Sequence, residues 1–177
     1  MSIKDFEQFL SRQRLPKEEL PVDWDLQRRE WLDFVALLYT NIEGFLRSFA
    51  EGGRISISYD NLTLTEENIG TYAVRRMTIL LGLNRIVLTP IGTLLIGTKG
   101  RVDMTGPRGT KRFILADRDS QGMKFVVRIR NSSTPVVEEE TKPINWEWKI
   151  VSNSAAPLYN TLTQDAFLNT LMEISNG

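Results

Sequence analysis

The spacing of hydrophobic residues changes once along the chain, and the first part predicts a helix. Across residues 24–50, apolar side chains recur at intervals of three and four, as on one buried helix face. Asp23 is a suitable N-cap, and Gly52 and Gly53 provide a stop. The pattern predicts a long helix within residues 22–53, with a buried stripe formed by Trp31, Phe34, Val35, Leu38, Ile42, Phe45, Leu46 and Phe49.

After Gly53 the hydrophobic spacing becomes two. Short stretches of alternating apolar and polar residues, separated by Gly, Pro and Asn turns, continue to residue 151. Such a series without intervening helical patterns indicates an antiparallel meander, which we expect to contain about six to eight strands. In the first stretch the alternation changes phase at Asp60 and Asn61, which predicts a turn or bulge there.

Shorter helices are predicted at both ends of the chain. Residues 1–21 contain an amphipathic stretch and a connection framed by two prolines. Within residues 160–175, Thr163 is a candidate cap, and Leu162 and Phe167 have the spacing of a hydrophobic staple. The chain is therefore predicted to be one α+β domain, a curved antiparallel β-sheet meander packed by a long N-terminal helix, with a short C-terminal helix.

The composition excludes several kinds of chemistry. The 177 residues contain no Cys and no His, so disulfides, Cys-ligated zinc and a Ser-His-Asp triad are impossible. We assign no catalytic residue and expect no cofactor and no metal. No apolar run reaches the about 18 residues of a membrane span, and the N-terminus has no apolar signal region. We expect a cytoplasmic protein without membrane association.

The formal net charge is zero, but the charge is unevenly distributed. Residues 1–70 carry 8 Lys and Arg against 13 Asp and Glu, residues 71–130 carry 12 against 3, and residues 131–177 carry 2 against 6. The basic middle third can bind an anionic partner or be covered by the acidic ends. We favour the second interpretation.

The glycine-rich stretch at residues 97–112, GTKGRVDMTGPRGTKR, raises the possibility of a phosphate loop. A Walker loop needs Gly-Lys-Ser/Thr before a helix, whereas here Thr98 precedes Lys99 and a strand-like segment follows. Two hairpin turns, at residues 97–100 and 106–109, explain the glycines better.

Basic side chains surround these turns and alternate with apolar ones. On strands they form a row of cations that either binds phosphates or lies in solvent, partly covered by the acidic residues 138–140. Candidate contacts to an anion or nucleic acid are Lys99, Arg101, Arg108, Lys111, Arg112, Lys124, Arg128 and Arg130.

Trp146 and Trp148 lie two residues apart and share a strand face. Such a pair can form a ligand platform, but the more ordinary interpretation is a core position. Among the carboxylates, Asp103 is the candidate for an acid or base.

Three functions follow, in order of preference. The first is a small non-catalytic interaction module that binds a protein partner or a second copy of itself, for which an edge strand is one route. The second is nucleic-acid binding through the basic β-hairpins. The third is a carboxylate-dependent enzyme using Asp103.

Overall fold

A computed structural model describes residues 21–93, 98–122 and 143–175. Its elements, in chain order, are α1 (Trp24–Glu51), β1 (Ile55–Glu66), β2 (Gly70–Leu81), β3 (Asn84–Gly92), β4 (Gly100–Gly106), β5 (Gly109–Asp117), β6 (Trp146–Val151), β7 (Tyr159–Thr161) and α2 (Gln164–Ile174). The α+β meander fold is confirmed. The predicted N-terminal helix within residues 1–21 and the acidic residues 138–140 lie outside the described residues.

Helix α1 forms as its sequence predicts. The side chain of Asp23 accepts a hydrogen bond from the Leu26 amide at 2.9 Å and so caps the first turn. At the other end Gly53 has φ +71°, a conformation that glycine adopts without strain. The stripe predicted from the spacing faces the sheet, and its centre, Trp31, Leu38 and Ile42, is fully buried.

The seven strands form one antiparallel sheet whose order is the chain order. Tight turns make this order possible. Gly106 pairs with Gly109, so Pro107 and Arg108 alone connect β4 to β5, and Gly109 has φ +142°. The hairpin turn predicted at residues 106–109 is therefore confirmed.

The core lies between α1 and one face of the sheet, and α2 closes it beside β5. The indole of Trp31 is central, since it lies 6.1 Å from the ring of Trp148 and directly over Gly100. A Cβ at Gly100 would lie 2.2 Å from this indole. Gly100 therefore lets the helix approach the sheet closely.

The predicted turn or bulge at Asp60 and Asn61 is wrong. β1 is a single strand that pairs with β2 in one register, from Ile55 opposite Leu81 to Glu66 opposite Gly70. What changes at this point is the face that is buried. β2 pairs with β3 only from Met77 onward, so the rest of the hairpin, residues 60–76, separates from β3. We call residues 60–76 the arm; it packs its opposite face into the core.

Tyr39 of α1 fills the point where the arm leaves the sheet. Its hydroxyl donates to the Arg75 carbonyl at 2.7 Å and lies 3.4 Å from the Leu88 carbonyl. These carbonyls belong to the two strands that separate here. The buried hydroxyl thus supplies a donor to a β2 carbonyl at the point where β2 and β3 stop pairing.

The C-terminal part differs from prediction at one boundary. The sheet was expected to end at residue 151, with a helix within residues 160–175, but Tyr159–Thr161 form β7 against β6 and α2 starts at Gln164. β7 has only three residues and no alternating pattern, so its pairing comes from its neighbour. The cap is as predicted, because the Thr163 hydroxyl accepts from the Ala166 amide at 3.2 Å.

Candidate interaction surfaces

Strand β1 forms one edge of the sheet over its whole length. All twelve residues pair with β2 on one side. In the ranges that the structure describes, no strand pairs with the other side. Because alternate residues of an edge strand point their N–H and C=O groups outward, β1 presents a row of backbone donors and acceptors about 40 Å long.

The features that normally protect a long edge are weak in β1. Its sequence, ISISYDNLTLTE, contains no proline, lysine or glycine, and the register shows no bulge. Asp60 is the only charged residue in the interior of the strand. Arg76 on β2 binds it through two guanidinium nitrogens, Nε and Nη2, and this hydrogen bonding holds the pKa of Asp60 below its usual value. The one charge on the edge is therefore bound inward.

The tip of the arm is tied to the end of β3 by a half-buried carboxylate. Glu66 accepts hydrogen bonds from the amide and the hydroxyl of Thr93, both at 2.8 Å. It also accepts one from the Tyr72 hydroxyl at 2.5 Å. Burial, and then this bond to Glu66, raise the pKa of Tyr72. The long hairpin is thus anchored at its free end.

The other half of β1 is held against the helix. The Tyr59 hydroxyl donates to Glu43 of α1, and the Arg75 guanidinium lies 4.5 Å from the centre of the Tyr59 ring. Burial, followed by the bond to Glu43, raises the pKa of Tyr59. With both halves anchored, β1 is a preformed edge whose ordering cost has largely been met in folding.

At the opposite end of the sheet, on the face turned away from α1, lies a polar cavity of about 460 Å³. Its lining includes Arg118, Asp119, Lys149, Leu158, Tyr159 and Asn160. Lys149 is 3% exposed, and its ammonium donates to the carbonyls of Arg118 and Ser120 at 2.6 and 2.7 Å. We call this the β6–β7 cavity.

The predicted basic residues do not form one surface. Lys99 pairs with Glu30 of α1 and lies 5.4 and 5.5 Å from the ring centres of Phe34 and Trp146. Arg101 makes two hydrogen bonds to Asp103 on the face away from α1, at 2.6 and 2.7 Å. These two cations are therefore already bound within the chain.

Of the remaining candidates, one is bound within the chain, two are exposed and three lie outside the described residues. Lys111 reaches Glu173 of α2 at 2.5 Å. Arg108, in the turn, and Arg112, directly opposite Asp103, are exposed. Lys124, Arg128 and Arg130 lie outside the described residues. Of the five candidates that are described, the acidic helices hold two, and Asp103 holds a third.

The structure also shows where the predicted tryptophan pair and the candidate acid or base lie. Trp148 is a core residue, since it is 4% exposed and its indole donates to the Phe34 carbonyl at 2.8 Å. Trp146 is half-buried beneath Lys99. Asp103, the candidate acid or base, is occupied by Arg101, whose pKa is raised mainly by that hydrogen bond.

Sequence reasoning missed Lys149 and Glu66. Lys149 alternates regularly with Trp148 and Ile150, which suggests a solvent-facing side chain, and the turn carbonyls that bury it are about thirty positions earlier in the sequence. Glu66 ends a strand and looks like a surface residue. No local signal marks either one.

No protein-family model matches the chain, and comparisons with curated proteins and with solved structures find no match either. Among the described residues, none of the helices is long and apolar enough to cross a membrane. The same part of the chain contains no group of three or more acidic side chains arranged to hold a metal ion. Function is therefore inferred from the geometry alone.

Proposed function

We propose that this protein is a non-catalytic interaction module that pairs through strand β1, and that its partner strand is β1 of a second copy. The observation that carries the proposal is the open, regular twelve-residue edge. Strand addition at such an edge supplies affinity through main-chain hydrogen bonds and specificity through alternate side chains.

The side chains of β1 favour its own copy as the partner. A two-fold axis perpendicular to the sheet makes the two strands antiparallel and keeps every residue on its own face. In both copies the half-buried Ile57 and Tyr59 then lie on one face, and the exposed Ser56 and Ser58 lie on the other. Apolar and polar residues are matched on both faces.

Charge selects among the possible registers. A pairing centred on Asp60 would place two carboxylates directly opposite each other, which is destabilising. A pairing centred on Ser58 instead places Asp60 opposite Ser56 and Ile57 opposite Tyr59. We propose this second register, in which residues 55–61 of the two copies pair and join two seven-stranded sheets into one.

The test uses charges at the proposed axis. We expect the wild-type chain to sediment at twice its 20.3 kDa monomer mass at micromolar to sub-millimolar concentration. Ser58→Lys and Ser58→Glu should each be monomeric, because the axis brings like charges together, whereas an equimolar mixture should form a heterodimer. Sedimentation equilibrium measures all three.

Thr110→Lys is the matched control. One row of cross-strand partners crosses the same sheet face from Ser58 to Thr110, through Thr78, Val87 and Thr105. Thr110 is exposed, as Ser58 is, but it lies on β5, away from β1. This variant should remain dimeric. If the wild-type chain is still monomeric at about 500 μM, any self-association is weaker than typical specific association, and this result would contradict self-pairing. A mixture that stays monomeric would contradict the register.

A further inference from the structure

The β6–β7 cavity contains a buried positive charge that the described residues do not neutralise. Both acceptors of the Lys149 ammonium, the carbonyls of Arg118 and Ser120, are uncharged. None of the carboxylates in the described ranges forms an ion pair with it. An ammonium removed from water without a counter-charge is unfavourable, so the site gains from an anion. Two bonds to carbonyls leave its third N–H without an acceptor among the described residues.

A second cation lies at the same cavity in an accessible position. The Arg118 side chain is 68% exposed, and its nearest carboxylate, Glu147, is 3.6 Å away, longer than a good hydrogen bond. Its guanidinium is thus available to a ligand. Arg118 can present two parallel N–H donors, the geometry that fits a carboxylate.

The charge balance of the lining selects the kind of anion. Arg118 and Lys149 contribute two positive charges and Asp119 one negative charge to the lining, and the carboxylate of Glu147, 3.6 Å from Arg118, further reduces the positive charge beside the cavity. This matches a monoanion better than a phosphate dianion. Leu158 and Tyr159 add apolar surface, and a volume of about 460 Å³ is within the range of small-molecule sites.

We propose that the β6–β7 cavity binds a small organic carboxylate. Arg118 holds the carboxylate at the mouth, Lys149 supplies the field that favours an anion, and the apolar part of the ligand packs against Leu158 and Tyr159. The site is on a different strand pair from β1 and does not depend on self-association.

The test is a titration of the full-length protein with benzoate, followed by amide NMR shifts of Tyr159, Asn160 and Thr161. We expect saturable shifts with a Kd of about 1 mM, as for a small fragment. Benzyl alcohol, which has the ring but no charge, should not bind. Inorganic phosphate should bind more weakly than benzoate.

Arg118→Ala should weaken benzoate binding about tenfold, since it removes a charge-assisted bidentate contact. The variant should fold, because the side chain is exposed and the carbonyl that Lys149 uses is backbone. Arg112→Ala is the matched control: it removes an exposed arginine on the same sheet face, outside the cavity, and should leave the Kd unchanged.

Three results would overturn the proposal. One is the absence of saturable shifts at these residues. Another is an unchanged benzoate Kd in Arg118→Ala. The third is tighter binding of phosphate than of benzoate, which would assign the cavity to a different anion.

Discussion

The two edges of the sheet differ in length and in how far they are covered. β1 at one edge is twelve residues long, straight in register and open, whereas β7 at the other has three residues. β7 is also partly covered, because the Tyr159 amide donates to the Gln121 carbonyl at 3.1 Å and Leu158 bridges to Gly122. Shortening and covering are the usual protections of a sheet edge. Their presence at β7 and their weakness at β1 support the proposal that a partner strand pairs with β1.

The largest stability effect is expected at the covered edge. Lys149→Met removes both hydrogen bonds to the turn after β5 and leaves two carbonyls without their donor. We expect a loss of about 2–4 kcal/mol in the free energy of unfolding, measured with urea. Thr161→Val, which removes only an exposed bond to Glu147, is the control and should cost less than about 1 kcal/mol. Equal losses would show that the ammonium does not hold this edge.

At the open edge, the anchor of the arm should matter next. Glu66→Ala leaves the Thr93 amide and the Tyr72 hydroxyl without their acceptor, which should cost about 1–3 kcal/mol. In the register centred on Ser58 only residues 55–61 of the two copies pair, so dimerisation should be unchanged. Glu67→Ala, at the adjacent exposed turn residue, should change neither property. A monomeric Glu66→Ala would show that the pairing extends along the arm and would contradict this register.

Replacing Tyr39, which lies where β2 and β3 separate, should have a smaller effect on stability, and this effect should depend on pH. Tyr39→Phe removes the donor to the Arg75 carbonyl and should cost about 1–2 kcal/mol at neutral pH. Burial is the main cause that raises the pKa of Tyr39 above its usual value. The unfolded chain ionises its tyrosines near about pH 10, so this contribution is complete below that pH and is lost as the pH rises above it.

Tyr39→Phe should therefore reduce the alkaline loss of stability, although Tyr59 and Tyr72, whose pKa values are also raised, will continue to contribute to it. Urea titrations at pH 8 and at higher pH compare the two proteins. An identical alkaline decline in both would exclude Tyr39 as a source.

The smallest effect is expected from the exposed arginines between the two edges. Arg112→Ala should change stability by less than about 0.5 kcal/mol, as is usual for surface positions. Because three of the five described candidate cations are already bound to carboxylates, labelled oligonucleotides should show the same anisotropy with this variant as with wild type at low salt. A steep salt-dependent signal that falls in Arg112→Ala would instead favour nucleic-acid binding.

Local signals were enough for much of the fold. The bounds of α1, the turn at residues 106–109 and the Thr163 cap depend on residues within one or two turns of each other, so the sequence predicts them well. The meander followed from closely spaced turn residues. β7 was missed because three residues show no periodicity, and its only support is pairing with β6.

The phase change in β1 shows a different limit. The hydrophobic pattern was detected correctly, but two structures produce it: a bulge, or a regular strand that buries one face along the sheet and the other along the arm. The choice depends on where β2 leaves β3, and Tyr39 marks that point. This contact joins residues 36 positions apart, so no local window contains it.

The candidate sites depend even more on distant contacts. Lys99 and Glu30 are 69 positions apart, so the sequence offered only the broad idea that acidic ends cover a basic middle. Lys149 is buried by a turn near residue 119. An edge strand was anticipated as a route to self-association, but which strand lies at the edge is a property of the assembled sheet.

The meander order has a consequence for how the protein is made. Each described strand pairs with the next described strand along the chain, so contacts form between segments that leave the ribosome one after the other. Such low contact order favours rapid folding. Helix α1 and the β1–β2 hairpin are synthesised first, and β7 is added almost last. The open edge is thus synthesised before the rest of the sheet.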